Sequence, residues 1–387
     1  MPRRFLCLLL ILSLSVLPGC WDRTEINDLG IAIAATIDLT PDNKIMFSEQ
    51  IYLPTPPGNG GELGVSMAGG QPYFVFSGIG DDIRAAHQNL QKMMSRRLFI
   101  ADRNLYLISE NVAKRGIQPY IDELVRNPQS RLRTHVAITK GDAVDYLKIK
   151  YPFEQTPGAA LRKLVFGNVS NYNVDLNHMI RELQKPGEQV AVPMIKINPT
   201  SPNGEEAFQS AGIAVLKNGK LIGEVPYKQA KGVLWLRDEM KHDVETLSIP
   251  NHGTVTINLL QQHTDTKVEI KNGHPTLHVT ILCEDDVVEN NSDINLTVPE
   301  NLDHLQTLYS NQIKQNILSV LDLLQHKYDA DILHAAETVH RQAPKEWRDH
   351  LRKNWDEEFA KMPVHVEVQS KIERIGMTGT SLSQDSK

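Results

Sequence analysis

Cysteine is scarce in this sequence, which excludes a fold held together by disulfides. The 387 residues contain three cysteines, Cys7, Cys20 and Cys283. Cys7 and Cys20 lie within the first twenty residues, so Cys283 has no partner in the body of the chain. It lies in the strand-like stretch "LHVTILCED" without a nearby histidine or asparagine that would indicate a catalytic thiol. We therefore expect Cys283 to be a small core residue.

Excess positive charge and a second long apolar run are also missing. The formal net charge is −6, and removal of Arg3 and Arg4 with an amino-terminal leader would take it to −8. Nucleic-acid-binding surfaces are basic, so the charge argues against nucleic acid as a partner. No apolar stretch after the first twenty residues approaches the length of a spanning helix. With 41% apolar and 23% charged residues, the body has an ordinary globular composition.

No motif for catalysis, a metal or a cofactor is found. The sequence has no HExxH, CxxC, Gly-x-Ser-x-Gly or Ser-x-x-Lys pattern, and the 14 histidines do not recur at ligand spacing. Gly58, Gly60 and Gly64 lack the spacing of a phosphate-binding loop. The acidic run Glu284 to Glu289 lacks the spacing of a calcium loop, and we interpret it as a solvated turn. We therefore predict no catalytic residue, no metal and no cofactor.

The amino-terminal segment has the pattern of a secretory signal that ends in a lipid-attachment site. Arg3 and Arg4 precede an apolar run, Phe5 to Val16, which is too short to span a bilayer comfortably. The run ends in "LPGC", which resembles the bacterial lipobox, where the cysteine receives a diacylglycerol. We predict a signal peptide over residues 1–19 and lipid modification of Cys20. The alternatives are an uncleaved anchor or a secreted protein without lipid.

The order of predicted elements indicates a mixed α+β protein. Strand patterns and helix patterns follow one another without a regular βαβ repeat, which predicts helices packed on sheets, and the length of the chain suggests two or three domains. We place an amino-terminal region in residues 20–200, with a long Pro/Gly-rich loop at 54–72. A carboxy-terminal domain follows at 201–376, after the linker-like "NPTSPNGEE", and a polar tail at 377–387.

Several shorter patterns add local expectations. Asn218-Gly219 and Asn272-Gly273 predict type I′ hairpin turns. Apolar residues from Leu302 to Tyr328 recur every three or four positions, which predicts the longest helix. Asp81 or Asp82 is a candidate cap for a helix whose stripe comprises Ile83, Ala86, Leu90, Met93 and Met94. Three tryptophans, Trp235, Trp347 and Trp355, are interpreted as core, with sugar stacking or partner contact as the alternative.

Four stretches resemble the Ger(x)C family of spore germination lipoproteins. They are "GCWDRTEINDLGIAIAATIDLT" at the predicted mature start, "LYLISENVAKRGIQPYIDELVRNPQSR", "GIAVLKNGKLIGEV" with "KGVLWL", and the ending from "YDADILHAAETVHR" to "KIERIGM". At one point the chain departs from the family, since it has "DILHAAE" where a glycine-containing "DifgfG"-like run is expected. The residues on which the family pattern falls are Trp21, Asp22, Glu25, Gly116, Trp235, Asp331, Trp347 and Trp355.

The resemblance implies a function that composition does not supply. Members of this family are C subunits of germinant receptors in the inner membrane of dormant spores. They assemble with two polytopic membrane subunits, the A-type and the B-type, and respond to small nutrients. The resemblance therefore implies a non-enzymatic subunit, held on the membrane by the lipid on Cys20, with Trp21 and Asp22 beside it. It also implies about three domains, two of them α/β subdomains within residues 20–200.

Two other function classes remain as alternatives. A solute-binding lipoprotein of an uptake system would hold a ligand between two lobes, and its isolated domain would bind that ligand. An envelope enzyme such as a cell-wall hydrolase would need a carboxylate pair or a nucleophile that the sequence does not display.

Overall fold

A computed structural model of the chain describes residues 24–52, 73–149, 151, 153–166, 172–185, 189–198, 206–376 and 378–380. The predicted signal peptide with Cys20, Trp21 and Asp22 lies outside the described residues. The Pro/Gly-rich loop at 54–72 and most of the polar tail lie outside them as well.

The larger sheet contains nine strands in the order β3-β2-β1-β5-β6-β7-β8-β9, with β4 beside the start of β1. Strands β1, β5, β6 and β7 run parallel, and the outer pairs are antiparallel. Their bounds are β1 Leu29–Leu39, β2 Ile45–Tyr52, β3 Tyr73–Gly80, β4 Arg97–Phe99, β5 Leu105–Ser109, β6 His135–Thr139, β7 Gln189–Asn198, β8 Ala207–Lys217 and β9 Lys220–Pro226.

Short amphipathic helices join these strands. Asp82 caps the first helix, because its side chain accepts from the Ala85 N–H at 2.7 Å, as the sequence predicts. Ile83, Ala86 and Leu90 of that helix are buried. The bounds are a 3₁₀ turn at Ile26–Asp28, α1 Ile83–Lys92, α2 Glu110–Arg115, α3 Gln118–Arg126, α4 Ala143–Tyr146, α5 Pro157–Phe166 and α6 Leu176–Leu183.

The carboxy-terminal part builds a second sheet in the order β10-β11-β12-β13. The strands are β10 Val244–Ile249, β11 Gly253–Lys271, β12 His274–Ser292 and β13 Val364–Arg374. The helices are α7 Tyr227–Leu236, α8 Pro299–Asp322, α9 Ala335–Gln342, α10 Pro344–Glu346 and α11 Trp355–Lys361, with π turns at Leu323–Tyr328 and Trp347–Leu351 and a 3₁₀ turn at Arg352–Asn354. The α+β class is confirmed.

Both predicted hairpin turns are present. Asn218 and Gly219 have φ values of 50° and 67°, and Asn272 and Gly273 have 53° and 85°. Positive φ at both central positions is what a type I′ turn requires. The long helix is also present, because α8 continues directly into the π turn that ends at Tyr328. Its buried stripe consists of Leu305, Tyr309, Ile313, Ile317 and Val320.

Two local predictions are wrong. The acidic run at 284–289 is not a turn, because β12 continues through it to Ser292, and Asp285 is fully buried. Alternation along the strand turns Asp285 inward beside Cys283, while Glu284 is exposed. Met93 does not belong to the buried stripe of α1; it follows the last helical residue and is 56% exposed.

The region of the predicted linker joins two neighbouring strands. Strands β7 and β8, on either side of 199–205, pair antiparallel in the larger sheet. One core cluster of buried residues also extends from Phe47 of β2, through Trp235 of α7, to Val366 of β13. The two halves of the chain therefore share both a sheet and a core, and the exact domain boundaries stay a prediction.

Candidate functional site

A buried carboxylate, Asp331, organises the carboxy-terminal family residues. Its Oδ1 accepts from the Leu333 and Ala335 N–H groups at 3.0 and 3.1 Å. Its Oδ2 accepts from the Ala336 N–H at 2.7 Å and from the indole Nε1–H of Trp355 at 3.0 Å. Asp331 thereby satisfies the first free N–H groups of α9, and aspartate is among the residues that favour a helix start. With four donors on its two oxygens, this carboxylate has a structural role: it links the start of α9 to Trp355.

The two tryptophans of the family ending pack against each other. The rings of Trp347 and Trp355 are 5.2 Å apart at 65°, an edge-to-face arrangement that aromatic pairs favour. Their exposed fractions are 2% and 3%, and that of Trp235 is 0%. The core interpretation of all three therefore agrees with the structure, and stacking of an external sugar on these rings does not.

His334 lies where the chain departs from the family pattern, and its backbone is left-handed. Its φ and ψ are 62° and 26°, a region that glycine adopts at no cost and that other residues rarely enter. The family pattern places a glycine-containing run here. In this chain the histidine side chain makes a long-range contact instead, because Nε2 lies 2.8 Å from Oε2 of Glu182 in α6.

Glu182 is the centre of a small ion cluster between the two halves of the chain. Lys185 Nζ lies 2.7 Å from Oε1 of Glu182 and 2.6 Å from Oε2 of Glu337 in α9. Burial alone raises the pKa of Glu182, but the hydrogen bonds and charges of His334 and Lys185 outweigh burial and lower that pKa to about 2. The cluster thus holds α6 against the start of α9 through a carboxylate that is charged at neutral pH.

A cavity of about 350 Å³ lies beside this cluster. Its lining includes Arg237, His334, Glu337 and Arg341, together with Thr264 of β11. Arg237 is itself buried and bonds to Glu239, to the hydroxyl of Tyr172 and to the backbone oxygen of Ile332. The guanidinium of Arg237 is therefore occupied by other groups of the fold.

The other predicted residues are not part of this cluster. Gly116 ends α2 with φ 124°, and the next N–H, that of Ile117, donates to the Gly219 oxygen at 2.8 Å. Gly116 therefore lies where the first half of the chain meets the β8–β9 turn. Glu25 is exposed and directly precedes the first 3₁₀ turn. Cys20, Trp21 and Asp22 lie outside the described residues, so their proximity to any site stays a prediction.

Two other features are absent from the described ranges. No group of three or more histidine, cysteine, aspartate or glutamate side chains there could hold a metal ion. No helix in that part of the chain is long and apolar enough to cross a membrane.

Sequence reasoning missed Glu182, Lys185 and Arg237. Nothing in the local pattern distinguishes these residues from ordinary surface charges, because the partners that link them to other elements lie far away in sequence. The one available signal is that His334 lies in "DILHAAE", the segment where the family pattern has a glycine-containing run, which indicates a locally special backbone.

The chain is similar to known proteins both in its fold and in its sequence. The fold matches that of the crystal structure of the GerBC protein with a TM-score of 0.60, over 88% of this chain and 96% of that one, at 15% identity. The family model "Spore germination protein N-terminal domain" matches residues 22–197, and "Spore germination B3/GerAC like, C-terminal" matches residues 211–376.

Curated relatives cover the chain almost end to end. The chain is 28% identical to YfkR of Bacillus subtilis (strain 168), over 97% of this chain and 98% of the relative. It is 27% identical to spore germination protein KC of the same organism, over 99% and 98%. The chain belongs to the GerAC-type, or Ger(x)C, family of spore germination proteins, and the predicted resemblance is confirmed.

Proposed function

We propose that this chain is the lipid-anchored, non-enzymatic C subunit of a nutrient-germinant receptor, held at the outer face of the spore inner membrane. The observation that carries the proposal is the ordered match of both family regions, residues 22–197 and 211–376, to spore germination proteins. Its partners would be an A-type and a B-type polytopic subunit.

Two features of the chain support this assignment over an enzyme. Burial, and then the nearby Asp285, raise the pKa of the Cys283 thiol, so the thiol stays protonated; its S–H donates to the backbone oxygen of Gln369. The carboxylate most central to the family ending, Asp331, has both oxygens occupied by N–H donors. These groups hold the fold together and are not free to react.

Anchoring would serve such a subunit physically. A lipid on Cys20 confines the folded domains to the membrane surface, which raises their effective concentration near the polytopic partners, so a weak interface suffices. Two acyl chains are needed for stable anchoring, as a diacylglycerol provides. Replacing Cys20 with Ala should release the protein from spore membranes and slow germination, and mass spectrometry of the mature amino terminus reads the modification directly.

The deciding experiment is affinity purification of the chain from dormant-spore membranes, with mass spectrometry of the proteins that follow it. Recovery of two polytopic germination subunits is the expected result. Recovery of a transporter permease with its ATPase would instead assign the chain to solute uptake and overturn the proposal.

A further inference from the structure

The amino ends of three parallel strands lie along one edge of the larger sheet. Strands β1, β5 and β6 run parallel, with Leu105 of β5 opposite His135 of β6. Strand β4 extends this edge, because Arg97 pairs with Leu29 and Phe99 pairs with Ile31 at the start of β1. Helix α1 starts at the opposite edge after β3 and ends here at Lys92.

This edge displays apolar and basic side chains together. Met93 is 56% exposed and Phe99 36%; Lys92 and Arg97 are exposed beside them, and Arg96 is half-buried. We call residues 92–99 the basic edge. None of these three cations has an ion-pair partner in the part of the chain that the structure describes.

The basic edge is held in place by the core beneath it. Gln91 donates to the Arg96 oxygen and accepts from the Leu98 N–H, both at 2.9 Å. Leu98 points inward, at 6% exposure, and packs with Ala32, Ile51 and Leu90. Because neighbouring residues of a strand point to opposite faces, Arg97 and Phe99 are turned away from that core.

Neighbouring segments continue the same surface. Ile26 is 59% exposed just before β1, and Leu132 is 42% exposed just before β6, followed by the exposed Arg133. The acids at this edge are the exposed Glu25 and Asp28, and Asp102, which pairs with Arg131 at 3.3 Å.

We infer that the basic edge docks on the anionic headgroups of the membrane and fixes the orientation of the protein there. The inference rests on the proposed lipid at Cys20. Leu29 lies nine positions after Cys20, a stretch that an extended chain spans in about 30 Å at most, so the chain that carries the lipid enters the sheet at this edge. Cations attract anionic headgroups, and exposed apolar side chains insert between them.

Vesicle co-sedimentation tests the inference without the lipid anchor. The mature chain from residue 20, with Cys20→Ala, is mixed with vesicles of phosphatidylcholine alone or of equimolar phosphatidylcholine and phosphatidylglycerol. We expect binding only to the anionic vesicles, and loss of that binding in high salt. Equal binding to both vesicles, or binding to neither, would overturn the inference.

Matched variants assign the binding to the edge. Each cation near an anionic surface strengthens binding about fivefold, so Lys92→Gln, Arg96→Gln and Arg97→Gln together should weaken it roughly a hundredfold. Lys267→Gln, Lys271→Gln and Lys371→Gln remove the same charge from the distant second sheet and should leave it nearly unchanged. Met93→Ser with Phe99→Ser should also weaken binding, and unchanged thermal unfolding shows that each variant is folded.

The outcomes separate this inference from the proposed function. If Cys20 carries no lipid but the lipid-free chain still binds anionic vesicles through the basic edge, the anchor fails and the docking surface stands. A different outcome is that the triple variant at Lys92, Arg96 and Arg97 binds vesicles like its parent yet loses the polytopic subunits in purification from spores. That result would show that the basic edge is a protein interface and does not dock on headgroups.

Discussion

Nε2 of His334 lies 2.8 Å from Oε2 of Glu182, across 152 residues of sequence, and this contact joins the two halves of the chain. The histidine reaches the carboxylate from a left-handed backbone conformation, with φ 62°. A non-glycine residue in that conformation costs about 1 kcal/mol or more. The contact and the strained backbone therefore work against each other at the same residue.

Two substitutions of His334 separate the contact from the strain. Both His334→Gly and His334→Ala lose the bond to Glu182, but glycine also removes the backbone strain. We expect His334→Ala to be less stable than His334→Gly by about 1 kcal/mol in the free energy of unfolding, measured by urea denaturation. An alanine variant as stable as the glycine variant would show that the left-handed conformation costs nothing here.

Asp285 should make stability depend on pH. Burial raises the pKa of this carboxyl from 3.8 to about 6, although the Ser370 hydroxyl donates to it at 2.6 Å. A carboxyl with a higher pKa in the folded state binds its proton more tightly there. The stabilisation that the protonated Asp285 contributes to the free energy of unfolding is therefore fully present below pH 3.8 and is lost as pH rises through about 6. The size is at most about 3 kcal/mol.

The measurement is the difference in unfolding free energy between the parent chain and Asp285→Asn across this pH range. Asn cannot ionise, so the stability of the variant relative to the parent should increase by roughly 1 to 3 kcal/mol as pH rises from 4 to 7. Asp38 has a pKa raised in the same direction and stays in both proteins, so the difference isolates Asp285. Asp265→Asn, on the exposed face of β11, is the control, and a difference curve as flat as that of this control would contradict the prediction.

Local patterns predicted much of the secondary structure, because each depends on neighbours in sequence. The Asn218-Gly219 turn needs only two residues that tolerate positive φ, and the buried stripe of α8 needs only its own periodicity. The acidic run around Asp285 failed for the same reason. Its composition is that of a turn, and only pairing of β12 with β11 and β13 makes it a strand.

The candidate site could be predicted only in part. Asp331 and Trp355 stood out through the family pattern, and the cap by Asp331 follows from helix-start chemistry. Glu182 and Arg237 owe their structural roles to contacts with partners more than 60 residues away in sequence. No periodicity or spacing encodes such contacts, so they appear only when the chain is folded.

Trp355→Phe should destabilise the carboxy-terminal region by removing one donor from a buried carboxylate. The indole Nε1–H lies 3.0 Å from Oδ2 of Asp331, and a hydrogen bond to a charged group contributes about 1.5 to 3 kcal/mol. Trp347→Phe is the matched control, since it shrinks the adjacent ring of the same stack. We expect Trp355→Phe to lower the free energy of unfolding by about 1 to 2 kcal/mol more than the control. Equal losses would mean that ring volume alone matters.

Gly116→Ala should weaken the junction between α2 and the β8–β9 turn. The φ of 124° and ψ of 134° at Gly116 lie in a region that residues with a Cβ rarely adopt, at a cost of about 1 to 3 kcal/mol. Space is not the obstacle, because the nearest atom to an added Cβ would be 3.5 Å away on Lys220.

Gly158→Ala is the contrasting control, because its backbone is ordinary but a Cβ there would lie 2.8 Å from that of Ala34. Hydrogen exchange of the Ile117 amide, which donates to the Gly219 oxygen, reports the junction directly. We expect faster exchange of that amide in Gly116→Ala only. Faster exchange in the Gly158 variant alone would show that the junction depends on packing beneath the sheet and not on the backbone of Gly116.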